Sequence, residues 1–169
     1  MTTRAGYVAL LGRPNVGKST LLNRLIGQKI SITSPKPQTT RHVLLGIQTL
    51  PAAQIVYVDT PGLHRQGQRA LHRYLNSAAA SVLGYVDVAV FLVEALRWTV
   101  EDADVLQRLA TFDGAVILAV NKVDRLADKA QLLPFLAEVS AKRQFVEVVP
   151  LAALHGDNVA ALEQALLQH

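Results

Sequence analysis

The chain has 169 residues, about one domain's worth, and half of them are apolar, so it can bury a substantial core. It has no cysteine, which excludes a disulfide framework and a cysteine-ligated metal site. Its net charge of +4 and pI of about 9.6 favour polyanionic partners. The first strand follows Met1 almost directly, leaving no room for a signal peptide. The apolar stretch 78–96 is interrupted by Gly84, Asp87 and Glu94, which favours a helix end plus a buried strand over a membrane span.

A phosphate-binding loop of the form Gly-x-x-x-x-Gly-Lys-Ser follows a predicted strand at residues 7–11 and precedes helical spacing at 21–26. Gly12 and Gly17 permit a tight turn that brings backbone amides close to phosphate oxygens. We expect Lys18 to contact the terminal phosphates and Ser19 to bind Mg²⁺. The motif alone does not distinguish ATP from GTP as the ligand, nor a switch from a kinase or a motor as the class of protein. The predicted phosphate-binding residues are Gly12, Arg13, Pro14, Asn15, Val16, Gly17, Lys18, Ser19 and Thr20.

A long loop is predicted at residues 27–40, which contain two prolines and many Ser and Thr. Residues 42–50 and 54–58 predict two strands, and the short turn between them makes the strands antiparallel neighbours. Thr40 can complete a Mg²⁺ shell only when a γ-phosphate is present, so the loop is expected to act as a switch. The second strand ends in Asp59-Thr60-Pro61-Gly62. Asp59 can hold Mg²⁺ through water, and the Gly62 amide can reach a terminal phosphate.

The remaining elements alternate between helix and strand, which predicts an α/β domain with a mainly parallel sheet. The sheet is expected to have six strands, one of them antiparallel, in a three-layer arrangement. The functional motifs fall at the carboxyl ends of strands, where such sheets bind ligands. The later predicted elements are helix 69–83, strand 86–93, helix 101–109 with Thr99 as N-cap, strand 115–120, helix 127–141 in two parts because of Pro134, strand 146–149, and helix 158–168 capped by Asn158.

Asn121-Lys122-Val123-Asp124 ends the penultimate strand and is expected to select the base. A carboxylate at Asp124 can accept hydrogen bonds from N1–H and the exocyclic amine of guanine. Adenine would leave that carboxylate unpaired, which is costly. We expect Lys122 to lay its stem along the base and Asn121 to tie loops together. The motif therefore changes a nucleotide site into a guanine-nucleotide site.

The motifs GRPNVGKST, QTTRH, DTPGLH and NKVD, in this order, resemble the translation-factor-related small GTPases. The stretches GQKISITSPKPQTTRH and LRWT point to the bacterial Era family, of the TrmE-Era type, over essentially the whole chain. The resemblance implies a P-loop NTPase fold of the small-GTPase type and Mg²⁺-dependent hydrolysis of GTP to GDP. It implies Lys18, Thr40 and Gly62 in catalysis and Ser19, Thr40 and Asp59 at Mg²⁺. Beyond the loop 12–20, it implies nucleotide contacts from Asp59, Thr60, Pro61, Gly62, Leu63, Asn121, Lys122, Val123, Asp124, Ala152 and Ala153.

The resemblance also implies a role in 16S rRNA processing and small-subunit (30S) assembly. It implies a monomer in the cytoplasm, with peripheral association at the cytoplasmic face of the inner membrane. The family continues into an RNA-binding KH domain, so residues 1–169 are expected to form a single G domain without it. The fifth motif departs from the family's Ile-Ser-Ala, since Leu151-Ala152-Ala153 stands there. The Ala153 amide could still contact the guanine carbonyl oxygen.

Leu63 occupies the position where Ras-like GTPases use a Gln to orient water, so slow intrinsic hydrolysis is expected. We interpret His64 as an exposed loop residue rather than a base. Segments 31–40 and 63–69 are expected to be protected from hydrogen exchange by a GTP analogue. Two alternatives to a ribosome-assembly switch stay open. One is a P-loop nucleotide kinase, against which the guanine motif argues, and the other is a GTP-dependent docking module with negligible turnover.

Overall fold

A computed structural model describes residues 3–27, 44–58 and 82–169, with only the backbone of Leu44 and Leu45. The strands are β1 (Arg4–Leu11), β2 (Leu44–Leu50), β3 (Ala53–Val58), β4 (Val88–Glu94), β5 (Ala115–Asn121) and β6 (Glu147–Pro150). The α-helices in these ranges are α1 (Lys18–Ile26), α2 (Val100–Arg108), α3 (Leu132–Ser140) and α4 (Val159–Gln168). Short 3₁₀ helices cover Leu109–Thr111, Val123–Arg125 and Lys129–Gln131.

The six strands form one sheet in the order β2-β3-β1-β4-β5-β6. Only the β2–β3 pair is antiparallel, because a two-residue turn at 51–52 joins these strands. The central strand β1 pairs in parallel with both neighbours, and Val8 lies opposite Tyr57 on one side and Val88 on the other. The predicted mostly parallel sheet with one antiparallel strand is confirmed.

Alternate residues of the central strands feed two separate hydrophobic cores, one on each face of the sheet. Val8 and Leu10 of β1 pack in the core that also contains residues of α1 and α4. Ala9 and Leu11 point into the other core, to which α2 and α3 contribute. Both faces of the sheet are thus covered by helices, which explains why β4 is apolar along almost its whole length. This is the predicted three-layer arrangement.

The helix boundaries test two predicted caps and one predicted break. Thr99 caps α2 through a capping box, in which its hydroxyl and Asp102 each accept an amide hydrogen bond. Asn158 occupies the predicted N-cap position of α4. Its side chain does not cap the helix, because the residue has a left-handed φ of 60° and its side-chain amide donates to Pro150 O instead. Pro134 lies in the first turn of α3, after a separate 3₁₀ helix, so the predicted two-part element is confirmed.

The predicted switch loop 27–40 lies outside the described residues apart from Gly27. Of the predicted helix 69–83, only Val82 and Leu83 are among the described residues, and both are helical. Across ranges 3–27, 44–58 and 82–169, no helix has the length and apolar composition needed to cross a membrane.

Candidate nucleotide-binding site

The phosphate-binding loop joins the carboxyl end of β1 to the start of α1, as predicted. Asn15 and Gly17 both take positive φ, 62° and 108°, and so turn the chain sharply into the helix. No side chain caps the start of α1, so its first amides point toward the loop. The Lys18 ammonium donates to Gly12 O at 2.6 Å, which places a positive charge across the loop. A helix N-terminus and a cation in this arrangement suit a phosphate group.

The two loop glycines are required for different reasons. A Cβ on Gly17 would lie 2.2 Å from Asn121 Nδ2, and the positive φ adds backbone strain. A Cβ on Gly12 would lie 2.7 Å from Leu92 O of β4, although Gly12 has no positive φ. The prediction that both glycines serve a turn therefore holds at Gly17. At Gly12 the close approach of the neighbouring strand is the constraint.

Arg13 turns its side chain into the protein, and one guanidinium nitrogen also donates to Pro14 O of the loop at 3.4 Å. Its guanidinium contacts Glu94 Oε2 at 2.6 Å and Asp102 Oδ2 at 3.3 Å, and the side chain is nearly buried. Val16 is also fully buried, in the core shared with α1. Of the predicted phosphate-binding residues, these two can therefore offer only backbone groups to a ligand.

Glu94, at the end of β4, is a site residue whose role sequence reasoning missed. Its carboxylate contacts Arg13 of the phosphate-binding loop and, at 3.5 Å, the Lys122 ammonium. Burial acts to raise the pKa of Glu94, but the hydrogen bond from Arg13 and the nearby Lys122 charge outweigh it and hold the pKa below its usual value. An acidic residue ending an apolar strand beside the strand of the loop is the signal that could have identified it.

Asn121 joins the phosphate side of the site to the base side. Its Nδ2 donates to Val16 O at 2.9 Å, and its Oδ1 accepts from Ala153 N at 3.0 Å. The side chain is 3% exposed. The predicted role of Asn121 in tying loops together matches this geometry. Because the Ala153 amide is already engaged, its predicted contact with a guanine carbonyl would require sharing or exchanging this bond.

Lys122 directly precedes the 3₁₀ helix Val123–Arg125, and Asp124 lies within that helix. Lys122 has a φ of 65°, and its ammonium donates to Asn15 O at 2.8 Å. Its stem thus runs between the base motif and the phosphate-binding loop. The Asp124 carboxylate lies 3.4 Å from His155 Nε2. The contact of these two side chains with a guanine base stays a prediction.

The fifth motif forms a closed loop behind Asp124. Its three residues, Leu151, Ala152 and Ala153, are fully buried. Because position 152 is an alanine, it offers no polar side-chain group to a ligand. Arg24 of α1 donates to Ala153 O at 3.1 Å and to Leu154 O at 2.5 Å. Sequence reasoning missed Arg24 and His155, since their partners are distant along the chain or depend on the shape of this loop.

Part of the predicted site lies outside the described residues: Thr40, Asp59, Thr60, Pro61, Gly62, Leu63 and His64. Ser19 is the one predicted Mg²⁺ ligand inside them, and it is exposed at the second position of α1. A metal-binding cluster of His, Asp and Glu is not found within the described part of the chain. The described residues therefore fit a nucleotide phosphate, and of the predicted Mg²⁺ ligands they include only Ser19.

Comparison with known proteins identifies the family. The model of the family described as 50S ribosome-binding GTPase matches residues 7–122. The GTPase Era of Pseudomonas savastanoi pv. phaseolicola is 53% identical over 167 residues, which are 99% of this chain and 56% of that protein. The GTPase Era of Marinobacter nauticus is 57% identical over 164 residues, 97% of this chain and 54% of that protein. The chain thus spans about half the length of the curated relatives it matches.

Two solved structures extend the likeness to the fold. Era from Aquifex aeolicus, as a variant bound to GDP and AlF₄⁻, is 37% identical with a TM-score of 0.81, covering 98% of this chain and 57% of that one. Era in complex with MgGDPNP and nucleotides 1506–1542 of 16S ribosomal RNA is 37% identical with a TM-score of 0.82, at the same coverage. The chain therefore belongs to the family of 50S ribosome-binding GTPases and, within it, is similar to the Era proteins along nearly its whole length.

Proposed function

We propose that this chain is the G domain of an Era-type switch that binds GTP and hydrolyses it to GDP. The observation that carries the proposal is the position of Asn121, which holds the phosphate-binding loop through Val16 and the fifth motif through Ala153. One buried side chain thus fixes the two halves of a nucleotide site relative to each other. Prior positioning of this kind lowers the entropy that binding would otherwise cost.

Each half of the site offers chemistry that suits one part of a guanine nucleotide. The N-terminus of α1 and the Lys18 ammonium suit the phosphates. The Asp124 carboxylate suits the N1–H and amine of guanine. Mg²⁺, when bound, would neutralise phosphate charge, and Ser19 would hold it with Thr40 and, through water, Asp59. We also propose that Lys18, Thr40 and Gly62 stabilise the charge that develops during hydrolysis.

We propose further that the switch acts in 16S rRNA processing and 30S assembly. Support comes from the related Era that was solved with MgGDPNP and a segment of 16S ribosomal RNA. In this proposal the chain is a cytoplasmic monomer that can associate peripherally with the inner membrane. Most of the RNA contact would come from the KH domain into which the family continues.

The test of guanine specificity is the binding of fluorescent GDP, GTP and ATP, each with and without Mg²⁺. We expect GDP and GTP to bind and ATP not to. Asp124→Asn replaces an acceptor with a donor, so GTP should weaken by at least ~2 kcal/mol while xanthosine nucleotides gain affinity. Asp113→Asn is the matched control, since Asp113 is exposed just before the start of β5, away from the motifs. Unchanged GTP affinity in Asp124→Asn would overturn the assignment.

Hydrolysis needs its own measurement, because a docking module would bind GTP without turning it over. Single-turnover hydrolysis should be slow for the chain alone and faster with small ribosomal subunits. Leu63 in place of a glutamine is the sequence feature behind this expectation. GTP binding with no hydrolysis in either condition would favour the docking module over the switch.

A further inference from the structure

His155 is the described side chain that faces the carboxylate expected to read the base. Its Nε2 lies 3.4 Å from Asp124 Oδ2. The Asp124 side chain is 19% exposed and the His155 side chain 57% exposed. At this distance an imidazole with a proton on Nε2 attracts one oxygen of the carboxylate. A carboxylate has further lone pairs, so this approach leaves acceptor positions for a base.

The loop that carries His155 is held rigidly by its own backbone. The amides of His155, Gly156 and Asp157 all donate to Ala152 O, at 3.2, 2.9 and 3.1 Å. Gly156 takes a φ of 81°, which a side chain would resist. These bonds close the loop on itself and fix the direction in which His155 leaves it.

Arg24 fixes the same loop to the helix that begins at the phosphate-binding loop. Its guanidinium donates to the carbonyl oxygens of Ala153 and Leu154. A Cβ on Gly156 would lie 3.5 Å from one of its nitrogens, so the guanidinium also lies against that glycine. Planar guanidinium groups hold two acceptors at once in a defined geometry. Arg24 thus fixes the position of the His155 loop relative to α1, and therefore relative to the phosphate-binding loop at the start of α1.

We propose that His155, held in place by Arg24, is a positioning residue that fixes the plane of the Asp124 carboxylate for guanine. The inference rests on the proposed guanine specificity of Asp124. Carboxylates rotate broadly about their last torsion, and two parallel hydrogen bonds to a base require one orientation. A donor on Oδ2 selects that orientation before the nucleotide arrives. Since an exposed pair of this kind contributes little to folding, its effect falls on base discrimination.

Discrimination between GDP and inosine diphosphate measures this effect directly. Inosine lacks the exocyclic amine of guanine, so it can make only one of the two hydrogen bonds to Asp124. The ratio of the two dissociation constants therefore reports the second bond, while contacts to the phosphates cancel. We would measure both constants with the full chain for wild type, His155→Ala, His155→Gln and Arg24→Ala. His169→Ala is the matched control, since His169 faces Glu147 at 3.9 Å at the chain end.

His155→Ala should reduce the GDP preference about two- to fivefold, in line with the strength of exposed pairs. Arg24→Ala should reduce it as well, and His155→Gln should restore it because its amide can still donate. The control should keep the wild-type ratio. Equal weakening of GDP and inosine diphosphate in His155→Ala would overturn the proposal, since it would indicate a loop-supporting role only. A wild type that fails to prefer GDP to ADP would instead overturn the guanine specificity itself, and this proposal with it.

Discussion

Two constraints favour glycine at position 17, namely a positive φ and a lack of space for a Cβ. At Gly27 only the positive φ applies. Both residues have positive φ, 108° and 70°. A Cβ at Gly17 would collide with the Asn121 amide, whereas at Gly27 it would meet nothing within 4 Å among the described residues. Alanine at the two positions therefore separates backbone strain from the loss of the Asn121 contact.

Gly27→Ala should cost about 1 kcal/mol of unfolding free energy, the usual penalty for a left-handed residue with a Cβ. Gly17→Ala should cost more, because Asn121 must move and its bonds to Val16 and Ala153 are lost. Two lost hydrogen bonds correspond to about 2 kcal/mol of unfolding free energy, and GDP affinity should fall as well because Asn121 no longer holds the two halves of the site together. Urea unfolding and GDP titration of both variants would check this. Equal effects of the two substitutions would show that Asn121 adjusts without loss.

At the scale of elements, Glu94 connects three parts of the site that are far apart in sequence. It ends β4, accepts from Arg13 of the phosphate-binding loop, and contacts Lys122 after β5. Arg13 also reaches Asp102, which belongs to the capping box of α2. The start of α2 is thereby tied to the phosphate-binding loop by charges that are mostly out of water.

Glu94→Gln should destabilise the chain by about 2 kcal/mol near neutral pH, because Lys122 loses its carboxylate partner and Arg13 keeps only Asp102. The folded-state pKa of Glu94 is lowered from 4.5. Its stabilisation is therefore fully present above that pH and is lost as pH falls through the folded pKa. Urea unfolding of both proteins across this range should show the difference narrowing in acid. A difference that stays constant down to the lowest pH would contradict the assignment.

The order of elements could be predicted from the sequence, and much of the polar geometry could not. Periodicity and the short turn at residues 51–52 were enough for a mostly parallel sheet. The motifs placed Lys18 and Asn121 correctly, because residue type and strand ends determine such positions. The inward turn of Arg13 depends on Glu94, 81 residues away, and the clamp from Arg24 on partners about 130 residues away. A local pattern carries no information on pairs of that separation.

For the whole molecule, a buried polar chain links the antiparallel edge of the sheet to the last helix. The Tyr57 hydroxyl donates to Gln48 Oε1 at 2.9 Å, and Gln48 Nε2 donates to Glu163 Oε2 at 2.6 Å. Burial, and then the Glu163 charge, raise the pKa of Tyr57, so its hydroxyl stays a donor at all ordinary pH values. Strands β2 and β3 are thereby connected to α4.

Tyr57→Phe should lower the unfolding free energy by about 1 kcal/mol, because the buried Gln48 oxygen loses its donor. Tyr7→Phe is the control, since Tyr7 is half-exposed, and it should stay within about 0.5 kcal/mol of wild type. If the three hydrogen-bonded side chains act as one connection, native-state hydrogen exchange in Tyr57→Phe should rise in β2 and in α4 together. The reason is that Gln48, without the Tyr57 hydroxyl, is free to leave Glu163. A rise confined to β3 would mean that Gln48 and Glu163 hold each other without Tyr57, and that the hydroxyl serves only its own strand.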